Sequence, residues 1–205
     1  MRISIVLALS FGVVGCSNAP HVDDTPNQMN QAGTYPAGPY GYVQGSVIEN
    51  IKFIGKEDPA GPTGMATYDG LALKPVSLAD YHTDSTVKYV VMSGVAGWCG
   101  PCNDEQKTVP DLQTTYQPKG FRFFEAMIQG YNEKTGAPAN ETDLDHWATN
   151  HGLHVGIGLD PEDKIHQYAD IAAFPLNMVV RTSDMQIVHM QVGEEDLTPV
   201  LDSLP

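Results

Sequence analysis

The sequence predicts an α/β fold, a three-layer sandwich in which helices cover both faces of a mixed sheet. The apolar residues of Val87–Ser93 are typical of a buried central strand, and Cys99 to about Tyr116 indicates a helix leading to a second strand at Phe121–Ile128. A strand, a turn and a strand between Met178 and Met190 indicate a hairpin, and Glu194–Leu204 a closing helix. Strand–helix–strand alternation followed by a hairpin implies both parallel and antiparallel pairing.

The other elements follow from local signals. Pro110 should kink or interrupt the first helix, because an internal proline loses a hydrogen bond and clashes with the preceding turn. A second helix is expected at Glu141–His151, and Asp160 is suited to the N-cap of a third that runs to about Ala169. Short strands or lead-in segments are expected at 46–54, 71–80 and 155–159.

The composition argues against a nucleic-acid partner. The chain has 205 residues, and 25 acidic against 11 basic residues give a formal net charge of −14. Binding to phosphate groups requires clustered Lys and Arg, which this composition does not favour. The length is sufficient for one domain with a full core and additional segments.

The N-terminal residues predict an export signal. Arg2 precedes a mostly apolar run, Ile3–Val14, that is too short to cross a bilayer. Val13-Val14-Gly15-Cys16 resembles the lipobox of bacterial lipoproteins, which implies removal of residues 1–15 and diacylation of Cys16. The alternative is an ordinary secretory signal with an incidental cysteine. Residues 16–44, rich in Pro, Gly, Asn, Gln and Thr, are predicted to be the lipidated cysteine and a flexible tether, so the domain is expected to span 45–205.

Two cysteines lie at the junction between the central strand and the first helix, in Trp98-Cys99-Gly100-Pro101-Cys102. Unpaired N–H groups and the helix dipole favour a thiolate at such a junction. Gly fits a tight turn, and Pro is accepted in a first helical turn. We interpret the pair as a redox dithiol, with Cys99 as the exposed nucleophile and Cys102 as the buried resolving thiol.

This motif is that of thioredoxin, and its surroundings, roughly residues 45–204, resemble the membrane-anchored, TlpA-like thiol-disulfide oxidoreductases. The resemblance implies a thioredoxin-like fold with an N-terminal extension and a central strand–helix insertion. It implies reduction of disulfides in exported proteins, with apocytochrome c as one candidate substrate and a membrane thiol transporter as electron donor. The expected location is the bacterial cell envelope, on the outer side of the cytoplasmic membrane or in the periplasm, held by the lipid anchor.

The resemblance also implies a substrate-binding surface around the dithiol. Phe174-Pro175 directly precedes the hairpin, where a thioredoxin-like fold has a cis proline opposite the dithiol that exposes the preceding residue to substrate. The alternative is a trans proline that begins an edge strand. Trp98 is expected to flank and shield the dithiol. Gly100 and Pro101, between the cysteines, complete the expected substrate-binding residues.

The resolving thiol requires a proton acceptor. Thioredoxin has a buried acid six residues before its first cysteine, but this chain has Ser93 there, which cannot accept the proton. Glu105 lies one helical turn after Cys102, so it can share a helix face with that cysteine, and TlpA-like proteins commonly carry an acid there. We expect Glu105 to accept the proton or to tune the thiol pKa values; the alternative is a solvated surface glutamate.

No organic cofactor and no metal is expected, the redox-active disulfide itself being the reactive group. His146, His151 and His154 are close in sequence, but their spacing does not place them on one helix face. Two alternative functions would require a different arrangement of residues around the reactive cysteine. A peroxidase of the peroxiredoxin type would have a Pro-x-x-x-Thr-x-x-Cys arrangement, which the chain lacks. A lipid-anchored metal chaperone or interaction module of the related copper type would have a Cys-x-x-x-Cys spacing, one residue longer than here.

Overall fold

A computed structural model describes residues 34–56, 71–132, 137–160, 162, 164–168 and 174–205. The predicted export signal at 1–15, Cys16 and the first part of the predicted tether lie outside these ranges. In the part of the chain that is described, no helix is both long enough and apolar enough to cross a bilayer.

The described ranges contain strands that we label β1 (Lys52–Lys56), β2 (Lys74–Ser77), β3 (Tyr89–Ala96), β4 (Phe121–Gln129), β5 (Gly156–Leu159), β6 (Leu176–Arg181) and β7 (Gln186–Val192). They also contain helices α1 (Leu78–Thr83), α2 (Gly100–Glu105), α3 (Val109–Tyr116), α4 (Glu141–His151) and α5 (Thr198–Ser203), with short 3-10 helices at Gln117–Lys119 and Ile165–Gln167.

The strands form one mixed sheet, as the sequence predicts. Its order is β2-β1-β5-β4-β3-β6-β7. The three central strands β3, β4 and β5 pair in parallel, and the outer strands on both sides pair antiparallel. The two predicted central strands lie side by side in the middle, because the helical segment between them makes a parallel crossover.

Helical segments cover both faces of this sheet, which confirms the predicted three-layer fold. On one face, the ring of Phe124 on β4 packs against Tyr81 of α1, with ring centroids 6.3 Å apart. On the other face, α2 and α3 connect β3 to β4. The Tyr116 hydroxyl at the end of α3 donates to Asp202 of α5 at 2.8 Å, and the Gln113 amide of α3 donates to the carbonyl of His154 just after α4 at 2.6 Å.

The predicted helix from Cys99 to Tyr116 is two helices. Helix α2 ends at Glu105, a turn occupies 106–108, and α3 begins at Val109 with Pro110 in its first turn. A proline lacks the N–H that would continue the first helix but costs little near a helix start. The predicted interruption at Pro110 is therefore confirmed, and the break lies before this proline.

Two other predicted helices are shorter than expected. In the described part of the segment after Asp160, only a 3-10 helix at Ile165–Gln167 is present, and the Asp160 carboxylate accepts the Ile165 N–H at 2.7 Å. The closing helix begins at Thr198, later than expected, and the N–H of Glu195 before it donates to the distant Glu105 carboxylate at 2.9 Å.

The described end of the predicted tether, residues 34–44, contacts the domain. The Tyr35 hydroxyl donates to the carbonyls of Ile48 and Glu49 at 2.9 and 3.0 Å. The Tyr42 ring contacts Tyr168 with centroids 5.1 Å apart. The low aliphatic content suggested a tether, but aromatic rings supply the packing area here.

Candidate active site around the cysteine pair

The connection between β3 and α2 positions the two cysteines. The Gly97 N–H donates to the carbonyl of Gln129 on β4 at 2.9 Å, and the Cys99 N–H donates to the carbonyl of Ala96 at 3.0 Å. A Cβ at Gly97 would lie 2.9 Å from the Tyr131 ring and 3.0 Å from the Gly130 carbonyl carbon, so the close approach requires glycine. The turn thus places Cys99 at the N-cap of α2.

Cys99 and Cys102 form a disulfide with an S–S distance of 2.06 Å. The Cys102 N–H donates to the Cys99 sulfur at 3.1 Å, which is the geometry that stabilises a thiolate after reduction. Cys102 is 0% exposed, as expected of a resolving thiol. The expectation of an exposed Cys99 is wrong for this disulfide form.

Cys99 is 3% exposed, because its sulfur is bonded to the buried Cys102 and lies over the first turn of α2. Gly100 and Pro101, the residues between the two cysteines, are exposed. The surface above the disulfide is therefore formed in part by these two residues, as the sequence-based assignment to substrate binding requires.

Phe174 and Pro175 lie at the same end of the sheet as the disulfide. Strand β6 runs antiparallel to β3, with Leu176 opposite Gly94, so the residues before β6 are beside the end of β3. The Phe174–Pro175 peptide bond is cis, as expected. The Phe174 ring makes an edge contact with Trp98, with centroids 6.4 Å apart. The indole N–H of Trp98 donates to the Gln129 side chain at 2.9 Å, which fixes the ring at the edge of the site.

Glu105 is buried, contrary to the alternative of a solvated surface residue. Its Oε2 accepts hydrogen bonds from the Asn177 amide at 2.8 Å and from the Glu195 N–H at 2.9 Å. Burial raises the pKa of the Glu105 carboxyl. The two hydrogen bonds oppose this rise, and the charges of Glu194 and Glu195 add to it. A buried carboxyl with a raised pKa, one turn from Cys102, is a better proton acceptor for that thiol than a solvated carboxylate would be.

Ser93 belongs to the same buried polar cluster. Its hydroxyl donates to the Asn177 Oδ1 at 2.8 Å, and Asn177 in turn donates to Glu105. Ser93 cannot accept the proton itself, but it orients the amide that holds the Glu105 carboxylate. The helix acid and the strand hydroxyl are thus connected through one asparagine.

Sequence reasoning missed a second buried acid, Glu125, in the middle of β4. Burial, followed by the charge of Glu105, raises the pKa of the Glu125 carboxyl well above its ordinary value, and the nearby Gln106 side chain opposes this rise. Gln106 is also completely buried. The signal in the sequence was a single carboxylate in the strand Phe121–Ile128, whose other residues, apart from Arg122, are apolar. A carboxylate inside such a strand is expected to be buried only with a special role.

Asn103 connects the active-site helix to α4. Its amide donates to the carbonyl of Cys99 at 2.7 Å, and its Oδ1 lies 3.1 Å from the His151 Nε2. His146 instead packs against the Tyr131 ring, with centroids 4.4 Å apart. Among the described residues, no three His, Cys, Asp or Glu side chains come together in a way that could hold a metal ion.

No protein-family model matches the chain, and no curated protein matches it. Solved structures do. The thioredoxin domain of a thiol-disulfide oxidoreductase from Bacteroides vulgatus matches with a TM-score of 0.56 at 19% identity, over 79% of this chain and 97% of that one. A thiol:disulfide interchange protein from Bacteroides sp. matches with a TM-score of 0.51 at 19% identity, over 73% and 81% of the two chains.

StoA from Bacillus subtilis matches with a TM-score of 0.50 at 12% identity, over 74% of this chain and 95% of that one. All three matches span most of both chains. Likeness at these identities concerns the fold, and the chain has the thioredoxin-like α/β fold of these three solved structures.

Proposed function

We propose that the protein is a thiol-disulfide oxidoreductase that reduces disulfide bonds in exported proteins. The observation that carries the proposal is the Cys99–Cys102 disulfide at the start of α2, with the buried Glu105 carboxyl one helical turn beyond Cys102. Cys99 and Cys102 are the reacting residues, and Glu105 is the proton acceptor. A thiol-disulfide oxidoreductase and a thiol:disulfide interchange protein are among the solved structures that share this fold, and they support the same reaction class.

The reaction begins with the dithiol form. The Cys99 thiolate, stabilised by the Cys102 N–H, attacks one sulfur of a substrate disulfide and releases the other as a thiolate. The Cys102 thiol then gives its proton to Glu105, and its sulfur attacks Cys99. The Cys99–Cys102 disulfide forms, the second substrate sulfur leaves as a thiolate, and solvent protonates both products. Two electrons pass from the protein to the substrate.

Substrate is expected to contact the exposed Gly100 and Pro101, together with Trp98, Phe174 and Pro175 at the rim. The Gly-Pro dipeptide is that of thioredoxin and favours the reducing direction. Return to the dithiol requires a thiol electron donor in the membrane. Cys16 is the proposed lipid anchor, which would keep the domain near that donor in the bacterial cell envelope. Apocytochrome c is one candidate substrate among exported proteins with disulfides.

The test is a trapping experiment with Cys102→Ser. This variant cannot complete the second step, so Cys99 should remain joined to its substrate and the adduct can be identified by mass spectrometry. The matched control is Cys99→Ser, which should trap nothing. Wild type should reduce the disulfides of insulin with dithiothreitol as donor. No adduct with Cys102→Ser, together with no insulin reduction by wild type, would refute the proposal.

A further inference from the structure

Three polar side chains form a row across the centre of the sheet. In the β3–β4 pairing Glu125 is opposite Ser93, and in the β3–β6 pairing Ser93 is opposite Asn177. Directly paired residues on neighbouring strands point to the same face. Glu125, Ser93 and Asn177 therefore share one face, and all three are buried.

This face is the one that α2 covers. Phe124 precedes Glu125 on β4 and packs against Phe53 and against Tyr81 of α1, on the opposite face. Successive side chains on a strand alternate between faces, so Glu125 points to the side of α2. Asn177 confirms the orientation of the row, because its amide donates to Glu105 at the end of α2.

The row and the end of α2 therefore place two carboxyl groups in one buried cluster. Glu105 Oε1 and Glu125 Oε2 are both buried, and neither has a hydrogen-bond partner among the described residues. The other charged groups at Glu105 are Glu194 and Glu195, and Glu195 Oε2 lies 2.8 Å from the His189 Nε2. No Lys or Arg in the described ranges forms an ion pair with Glu105 or Glu125.

Two negative charges in such a cluster would be costly, since each is removed from water and they repel each other. The more deeply buried group keeps its proton in such a pair. Glu105 has two hydrogen-bond donors that stabilise its carboxylate, whereas Glu125 has only the Gln106 side chain nearby.

We propose that Glu125 is a positioning residue that holds a proton at neutral pH, so that Glu105 and Glu125 together carry one negative charge. Burial raises the pKa of both groups, and that of Glu125 further through the charge of Glu105. The role of the pair in disulfide exchange rests on the proposed function. A second negative charge beneath α2 would oppose ionisation of Cys102, whereas a neutral Glu125 leaves Glu105 free to take the Cys102 proton.

The first experiment observes the proton directly. Infrared spectra of the oxidised protein at neutral pH distinguish the C=O stretch of a protonated carboxyl from carboxylate bands. Wild type should show the protonated band, Glu125→Gln should lose it, and Glu105→Gln should keep it, because burial is the larger cause of the Glu125 shift. The matched control is Glu141→Gln, since Glu141 is an exposed glutamate on α4 with a side chain 51% accessible. No band in wild type, a band that persists in Glu125→Gln, or loss in Glu105→Gln would overturn the proposal.

The second experiment follows the thiol. In the full chain with Cys16→Ser and Cys99→Ser, Cys102 is the sole cysteine, and the ultraviolet absorbance of the thiolate reports its ionisation. Adding Glu125→Gln should leave the midpoint in place, because glutamine keeps the neutral charge of a protonated Glu125, and Glu141→Gln should also leave it in place. Adding Glu105→Gln should move the midpoint to lower pH, because it removes the one negative charge of the pair. A midpoint that Glu125→Gln moves to lower pH would overturn the proposal, since it would show that Glu125 is ionised when Cys102 titrates. Neither measurement requires turnover, so failure of both substrate trapping and insulin reduction would refute the proposed function and leave the protonation of Glu125 as a separate result.

Discussion

Adding a methyl group at Gly97 tests whether the turn before Cys99 depends on a close contact. In Gly97→Ala the new Cβ would lie 2.9 Å from two atoms of the Tyr131 ring and 3.0 Å from the Gly130 carbonyl carbon. The ring is held by His146 and Trp147, with centroids 4.4 and 6.4 Å away, so it cannot move without disturbing α4. The other contact is backbone, which cannot rotate away.

The expected cost is that of overpacking. Inserting a methyl group into a well-packed site costs about 1–3 kcal/mol, and for 150–250 residues each kcal/mol lowers the melting temperature by about 2–4 °C. We therefore expect Gly97→Ala to melt about 4–8 °C below wild type for a cost near the middle of this range. The matched control is Gly100→Ala, since a Cβ at Gly100 has no atom within 4 Å.

The assay is reversible thermal unfolding of the oxidised protein followed by circular dichroism. Gly100→Ala should leave the stability unchanged or raise it by up to about 1 kcal/mol, because alanine is favoured over glycine in a helix. Combining Gly97→Ala with Tyr131→Ala should cost less than the sum of the single changes, since the ring contact is then removed. Equal melting temperatures for Gly97→Ala and Gly100→Ala would refute the steric reasoning.

Three other predictions concern the buried groups. Because the pKa of Glu105 is raised on folding, the folded state binds more protons, and its stability falls as pH rises from about 4.3, the ordinary glutamate value, through the folded pKa. Glu105→Gln should therefore gain stability relative to wild type over this pH range in urea unfolding; a difference independent of pH would contradict the sign. Asn177→Ala removes a hydrogen-bond donor from the Glu105 carboxylate, so the midpoint of the Glu105 titration should move to higher pH. The midpoint can be measured by NMR of the labelled carboxyl carbon, and an unchanged midpoint would mean that this hydrogen bond does not stabilise the carboxylate. Trp147→Ala should lose about 3–5 kcal/mol in urea unfolding, since Trp147 is fully buried, and a loss below about 1 kcal/mol would mean that the site repacks.

The sequence patterns predicted the sheet because most residues of its central strands are apolar, apart from the polar row of Glu125, Ser93 and Asn177 on one face. Residues 87–93 and 121–128 could be assigned as neighbouring strands from their hydrophobic runs and the helix between them. The Cys99–Cys102 spacing was equally accessible, because it depends on a short local motif, and the cis peptide bond before Pro175 was expected from the family resemblance that this motif carries. Glu105 was found from its spacing to Cys102 along one helix.

Features that depend on long-range contacts were not accessible in the same way. Glu125 lies in the site only because β4 pairs with β3 in the register that sets it opposite Ser93, and hydrophobic pattern does not fix that register. Glu195, just before the closing helix, binds a carboxylate 90 residues earlier in the chain, and no local pattern indicates that contact. The burial of Cys99 in the disulfide form is likewise not specified by the spacing of two cysteines.

The bond between the Glu195 N–H and Glu105 also bears on when the site is completed during synthesis of the chain. A polypeptide is made from its N-terminus, so the cysteines emerge long before the segment that completes the surroundings of their acid. A nascent chain halted between residues 177 and 195 would hold both sulfurs while the Glu105 carboxyl still lacked one of its two donors. Competence for exchange would then be acquired late, after most of the sheet has formed, and immature chains would exchange disulfides poorly.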